Sequence, residues 1–263
     1  MIIDTFLFND EFEMLDIHLE ISKKYVDKWI ILEASRTFSG IPKPYNLANN
    51  FSYYQEKYGN RVEVINLELK IDQTNLICET MMRKGLQPSL EKYSKEDIVI
   101  HGDLDEIIDP NKWNKIVELM DIENKPVSCG FDMYMYKFDQ KTIRGWKGSV
   151  VARKRMFETP HDLYKGHVQV TKRKDRSKCV SLNEIAGWHW TWMGNDELIK
   201  NKVVSCIEHQ NRDPNEVLTA FKNLDTKTAI NHKCESSIIK TNYPSEVLEI
   251  IKKYKTYWHN VPN

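Results

Sequence analysis

Residues Glu96–Pro110, EDIVIHGDLDEIIDP, drive an apolar run of strand length into four acids, Asp103, Asp105, Glu106 and Asp109. DIVIHG, with the aliphatic run Ile98–Ile100 at its centre and a glycine at its end, reads as a strand buried on both faces. In an open α/β sheet, ligands gather beyond the carboxyl ends of the strands, and DLDE falls there. If the chain stays extended past Gly102, Asp103 and Asp105 point the same way while Leu104 turns into the protein. Two such hard oxygen ligands suit Mg²⁺ or Mn²⁺, which keeps waters and takes substrate phosphate oxygens as further ligands. The pattern fits a metal-bound nucleoside diphosphate. The competing use is an acidic loop capping the helix that starts at Pro110, a role Asp109 can fill alone.

The chain on either side supports the strand. IIDTFLF opens as a strand, and Phe12, Leu15, Leu19 and Ile21 follow at helical spacing after the cap candidates Asn9 and Asp10. KWIILEA and RVEVINLEL add two strands, and Asn75 to about Tyr93 reads as helix broken at Gly85 and Pro88. Strands alternating with helices imply a parallel sheet. After Pro110, Trp113, Ile116, Val117 and Met120 form a helical stripe. PVSCGFDMYMYKF and GSVVARKRMF then read as strands of a mixed or antiparallel part, with a hairpin at GHVQVTKRKD and closing helices near 195–209, 213–223 and 244–257. No repeat, low-complexity tract or linker divides the chain, so one domain is expected.

Composition narrows the partners. Among 263 residues, Lys plus Arg and Asp plus Glu both number 38, which leaves no basic field for nucleic acid. Cys78, Cys129, Cys179, Cys206 and Cys234 contain no C-x-x-C pair, as expected for a reducing compartment. The start MIIDTFLFNDEFEML meets acids too early for a signal peptide, and no window approaches a membrane span. A cytoplasmic location is expected.

Four blocks, DTFLFNDEFEMLDIHL, ILEASRTFSGIPKP, IVIHGDLDEI and AGWHWTWMGNDELIKNKVVSCIEH, stand in this order between about residues 3 and 210. Together they resemble glycosyltransferase family 17, of the β-1,4-mannosyl-glycoprotein 4-β-N-acetylglucosaminyltransferase type. The resemblance implies an α/β chain of GT-A, Rossmann-like fold, with a mixed, mostly parallel central sheet flanked by helices. Residues 1–263 would form one domain, with a nucleotide-binding half to about 110 and an acceptor half with C-terminal helices from about 111. It implies an inverting transfer of a sugar, N-acetylglucosamine first, from a UDP-sugar to a saccharide or glycan acceptor with Mn²⁺ or Mg²⁺. The family's Golgi members carry a membrane anchor that is not evident here, which favours a lipid-linked or soluble saccharide precursor, or a nascent surface glycan, as acceptor.

By position, the resemblance implies Asp103 near the ribose and metal, Asp105 as principal metal ligand and Glu106 completing D-x-D-E. A cation bridging the diphosphate would stabilise the charge growing on the leaving UDP. The loop after KWIILEA offers Glu33, Ser35 and Thr37 to uracil or ribose and Lys43 to phosphate. Otherwise it is a polar turn built on Gly40 and Pro42. Glu79 and Arg83 have the spacing of an intrahelical ion pair, yet the family's acid and Arg on this helix assign Arg83 to the nucleotide. A late His serves many GT-A enzymes as a metal ligand, which points to His189 first and His209 second. Lys202 is a candidate for the diphosphate. If GWHWTW is extended, Trp188, Trp190 and Trp192 share one face and His189 and Thr191 the other.

Sugar rings stack on aromatic planes, so Tyr134, Tyr136, Trp146, Trp188 and Trp190 are sugar or acceptor candidates, with core packing as the alternative. An inverting transfer needs a base at the acceptor hydroxyl, for which Asp132, Glu184 and Glu106 are candidates. Two rival readings stay open. A nucleotidyltransferase would need a triphosphate loop where FNDEFEM is acidic, and a non-catalytic carbohydrate-binding protein would need no nucleotide pocket.

Overall fold

The computed structural model describes residues 1–70, 75–156, 179–206, 209, 211–225, 229 and 236–262. The apolar runs become strands β1 (Ile2–Phe8), β2 (Lys28–Ala34), β3 (Val62–Leu67) and β4 (Ile98–His101). They lie side by side in the order β3-β2-β1-β4, all parallel. The side chains alternate between two apolar layers. Phe6, Trp29 and Ile31 meet the helix Phe12–Ser22, and Ile3, Ile30, Leu32 and Val99 meet the helix Asn75–Gly85. Because β2 and β3 are laid on one side of β1 and β4 on the other, the strand order reverses between β1 and β4. A crevice opens at such a reversal.

The remaining strands are β5 (Glu106–Ile108), β6 (Val127–Met135), β7 (Gln140–Thr142), β8 (Trp146–Arg153), β9 (Val180–Ser181), β10 (Gly187–Thr191) and β11 (Ser236–Ile238). β8 runs antiparallel to β4 and carries the sheet into a β8-β6-β7-β11 half, while β10 bridges β6 and β5. This is the mixed α/β, Rossmann-like arrangement expected of a GT-A fold.

Several local readings shift. The D-x-D segment is not extended: Glu106 N donates to Asp103 O at 3.0 Å, a turn that sends the chain back into β5. Asp109 accepts from Asn111 N at 2.9 Å and so does cap the helical turn at Pro110. The first helix starts one residue after Glu11, and Asp10 turns the chain at a φ of 67° instead of capping. The closing helices are shorter than expected, at Asp196–Ser205, Pro214–Lys222 and Ser245–Ile251. Helices Asn46–Asn49 and Phe51–Tyr58 had no expectation. The hairpin at GHVQVTKRKD lies outside the described residues. No helix among the described residues is long and apolar enough to cross a membrane.

Gly187 lets β10 come close to β5. A Cβ there would sit 2.1 Å from Ile107 O and 2.8 Å from Asp109 N, both backbone atoms that cannot swing aside. Gly187→Ala is expected to cost roughly 1–3 kcal/mol or more in urea denaturation. Gly130→Ala, whose Cβ would meet nothing within 4 Å, should cost much less.

Candidate active site

The carboxyl ends of β1, β2 and β4 open into a cavity of about 600 Å³. Its walls include Asp10 and Glu11 after β1, the loop Arg36–Lys43 after β2, the turn with Asp103 and Asp105, His189, Thr191 and Trp192 at the end of β10, and Lys202 on the helix Asp196–Ser205. Of the residues singled out in the sequence, the cavity gathers Thr37, Lys43, Asp103, Asp105, Trp146, His189, Lys202 and His209.

Each carboxylate of the D-x-D turn has a cationic neighbour. Arg83, itself buried, donates from Nη2 to Asp103 Oδ1 at 2.9 Å, while the rest of Asp103 faces the opening. Asp105 is buried, with His189 Nε2 at 3.3 Å and Lys202 Nζ at 3.5 Å. Burial alone would raise the Asp105 pKa. The charges of His189 and Lys202, with hydrogen bonds from His189 and Thr191, hold it well below the usual carboxylate range. The His189 imidazole is pushed the other way, since Asp105 overrides the burial that opposes its charge. Lys202 also reaches Glu11 at 2.7 Å, and Glu11 and Asp105 together raise its pKa against burial.

Glu106 stands behind this wall, outside the cavity lining. Its carboxylate accepts from Trp146 Nε1, from Ser149 Oγ at 2.9 Å and from the Asp103 backbone N at 3.3 Å. It therefore fixes the Trp146 ring, which lines the cavity beside His189. Burial, and then the negative charge of Asp103, push the Glu106 pKa up to about 7.

Other expected residues are placed elsewhere. Glu33 is fully buried and accepts from Lys43 Nζ at 3.0 Å, Leu47 N at 2.9 Å and Ala48 N at 3.2 Å, so its carboxylate fastens the loop to the next helix. The Ser35 hydroxyl accepts from Leu69 N. Asp132 is in register with Trp188, on the face opposite His189 and Met133, and pairs with Lys141 at 2.6 Å. Glu184 is held on the surface by Lys112 and Lys115, whose hydrogen bonds lower its pKa. Trp188 and Trp190 stack on each other at 5.5 Å in the core with Tyr134 and Tyr243. Tyr136 stacks on Phe221. The side chain of Glu79 lies outside the described residues.

Asp10, Glu11, Arg36 and Trp192 also line the cavity, although nothing in the sequence marked them for a ligand. Asp10 and Glu11 resemble helix-start acids in sequence, and Arg36 hides in a polar loop. Trp192 leaves the Trp188 and Trp190 face because its φ of 59° breaks the strand alternation. Its ring then faces Lys202 and His209.

Glycosyltransferase family 17 is the family whose model matches this chain, over residues 1–193. Comparison with curated proteins gives no match. Similar solved structures include the 4-diphosphocytidyl-2C-methyl-D-erythritol synthase of Anaerococcus prevotii, at 12% identity and TM-score 0.42, covering 69% of this chain and 86% of that one. Galactosyltransferase LgtC, solved with donor and acceptor sugar analogs, shares 11% identity at TM-score 0.37 over 70% of this chain and 73% of its own. The glycosyltransferase GlyE of Streptococcus pneumoniae shares 9% identity at TM-score 0.36, over 69% and 44%.

With a pKa of about 7 in the folded chain against an ordinary 4.5, Glu106 adds stability that is complete below 4.5 and is lost as the pH rises to about 7. Glu106→Gln keeps an acceptor for Trp146 and cannot titrate. Urea denaturation between pH 5 and 8 should show a shallower fall in stability with pH for that variant than for the parent.

Proposed function

Because the chain belongs to glycosyltransferase family 17, we propose that this glycosyltransferase takes a UDP-sugar in the cavity at the β1/β4 reversal. The sugar, with N-acetylglucosamine the one the family implies, passes to a saccharide hydroxyl with inversion. The observation that carries this is the pair Asp103 and Asp105, both on the cavity wall, with Asp105 kept ionised although buried.

The side chains fit a divalent cation in an open site. Among the described residues no three His, Cys, Asp or Glu side chains form a group that could hold a metal by themselves. Asp103 and Asp105 offer hard oxygens, and His189 keeps a buried Nδ1 with no hydrogen-bond partner. Asp103 and Asp105 would hold the cation, with phosphate oxygens and water as its further ligands, as Mg²⁺ and Mn²⁺ commonly have, and His189 stands beside them. When bound, the cation neutralises charge on the leaving diphosphate.

The chain's own groups do the rest. Arg83 fixes Asp103 in place. Lys202, between Glu11 and Asp105, presents an ammonium to the same space and is suited to phosphate oxygens. Lys43 and Arg36 add positive charge on the wall beyond β2. Trp146, held by Glu106, gives an aromatic plane for a sugar ring.

The test is release of UDP from a panel of UDP-sugars with saccharide acceptors and Mn²⁺, with the anomeric configuration of the product read by NMR. Transfer with inversion is expected. Asp105→Asn should abolish transfer while keeping the parent's far-UV circular dichroism, with a lower denaturation midpoint because His189 and Lys202 lose their anion. Lys202→Met should weaken donor use by roughly 10-fold to 100-fold, the loss expected for a hydrogen bond to a charged group. Full metal-independent turnover by Asp105→Asn would refute the assignment.

A further inference from the structure

His18, on the helix Phe12–Ser22, lies beneath the D-x-D turn with both ring nitrogens engaged. Nε2 is 2.8 Å from Asp4 Oδ2, and Nδ1 is 2.7 Å from the carbonyl oxygen of Leu104. The ring is buried and packs against Phe6 at 4.6 Å between centroids. A carbonyl oxygen can only accept, and so can an ionised carboxylate. A ring bonded to both therefore carries a proton on each nitrogen and is an imidazolium. Burial opposes that charge, and Asp4 outweighs it, so the His18 pKa is raised.

The acceptor is what gives His18 a role beyond packing. Leu104 lies between Asp103 and Asp105. The neighbouring carbonyls of the turn are taken by backbone, Asp103 O by Glu106 N at 3.0 Å and Asp105 O by Trp190 N at 2.8 Å. The Leu104 carbonyl takes a side chain instead. A charged donor braced on the central strand β1 thus fastens the peptide that carries both carboxylates. The other groups facing the ring are the charge of Asp105 from the turn and, on its own helix, Ser22, whose hydroxyl donates to the His18 carbonyl at 2.7 Å and accepts from Trp29 Nε1 at 2.9 Å.

We propose that His18 is a positioning residue for the transfer, a buried imidazolium that, braced on Asp4, sets the direction in which Asp103 and Asp105 meet the donor's diphosphate. The diphosphate part of this statement rests on the UDP-sugar reading above. Arg83 acts on Asp103 from the other side of the sheet, through a side-chain contact. His18 acts on the backbone, and so on both carboxylates together.

The variants H18Q and H18R separate this role from packing. Glutamine is neutral and its single amide nitrogen cannot serve Asp4 and Leu104 as the imidazolium does, whereas arginine is a permanent cation with several donors. Hydrogen–deuterium exchange of the amides at 103–106, referred to those of β2, is measured with Mn²⁺-dependent UDP binding. In H18Q, exchange at the turn should quicken by about tenfold relative to β2 and UDP should bind about tenfold more weakly, the scale of one charge-assisted hydrogen bond. H18R should recover both. In the parent, nitrogen NMR should show protons on both His18 nitrogens. A singly protonated ring, or turn amides in H18Q that exchange as in the parent, would overturn the proposal. If H18Q does not fold, the NMR state of the parent ring decides. If the parent binds no UDP, the donor reading fails by itself while exchange and NMR still decide His18.

Discussion

The structure turns on a buried carboxylate that stays charged. Removing a carboxylate from water costs several kcal/mol unless opposite charge and hydrogen bonds replace the solvent. Asp105 receives both, from His189 and Thr191 on β10 and from Lys202 on the helix Asp196–Ser205. These partners come from the later half of the chain, whereas Asp105 follows the last strand of the parallel half. One ionised group therefore draws the end of β4, β10 and that helix together around the cavity. Taking away His189 or Lys202 would leave buried charge unmatched, so both are bound into the architecture as well as into the site.

The parallel half was legible because β1, β2 and β4 must be apolar on both faces, and such runs stand out against an otherwise polar chain. The position of Asp103 and Asp105 at the sheet's edge followed from the same reasoning. Their conformation did not. An extended D-x-D and a turn have the same residues, and the turn is chosen by long-range partners, Trp190 N for one carbonyl and His18 for another. The partners of Glu33 were hidden for a related reason. A carboxylate beside Ser and Thr at a strand end looks free for a ligand, yet three donors from the next loop and helix consume it.

The aromatic residues divide by the same alternation. Along β10 the even positions Trp188 and Trp190 fill the core with Tyr243, while His189 and Thr191 face the cavity. Periodicity foresaw that division, and a positive φ at Trp192 ended it, which no pattern of residue types reveals. The segment after 211 lay outside the family resemblance and carried no functional reading, but it completes the core. Tyr243 donates to Phe138 O and accepts from Trp190 Nε1, and Asp139 binds the backbone of His259 and Asn260. Only contacts between distant parts of the chain expose these roles.

The most direct test of the nucleotide-sugar cavity is calorimetric titration of the purified protein with UDP, GDP and CDP, each with Mn²⁺ and with EDTA. Selective binding of UDP that requires the metal is the expected result. Absence of binding by every nucleotide, or equal binding of UDP in EDTA, would contradict a donor site organised by Asp103 and Asp105.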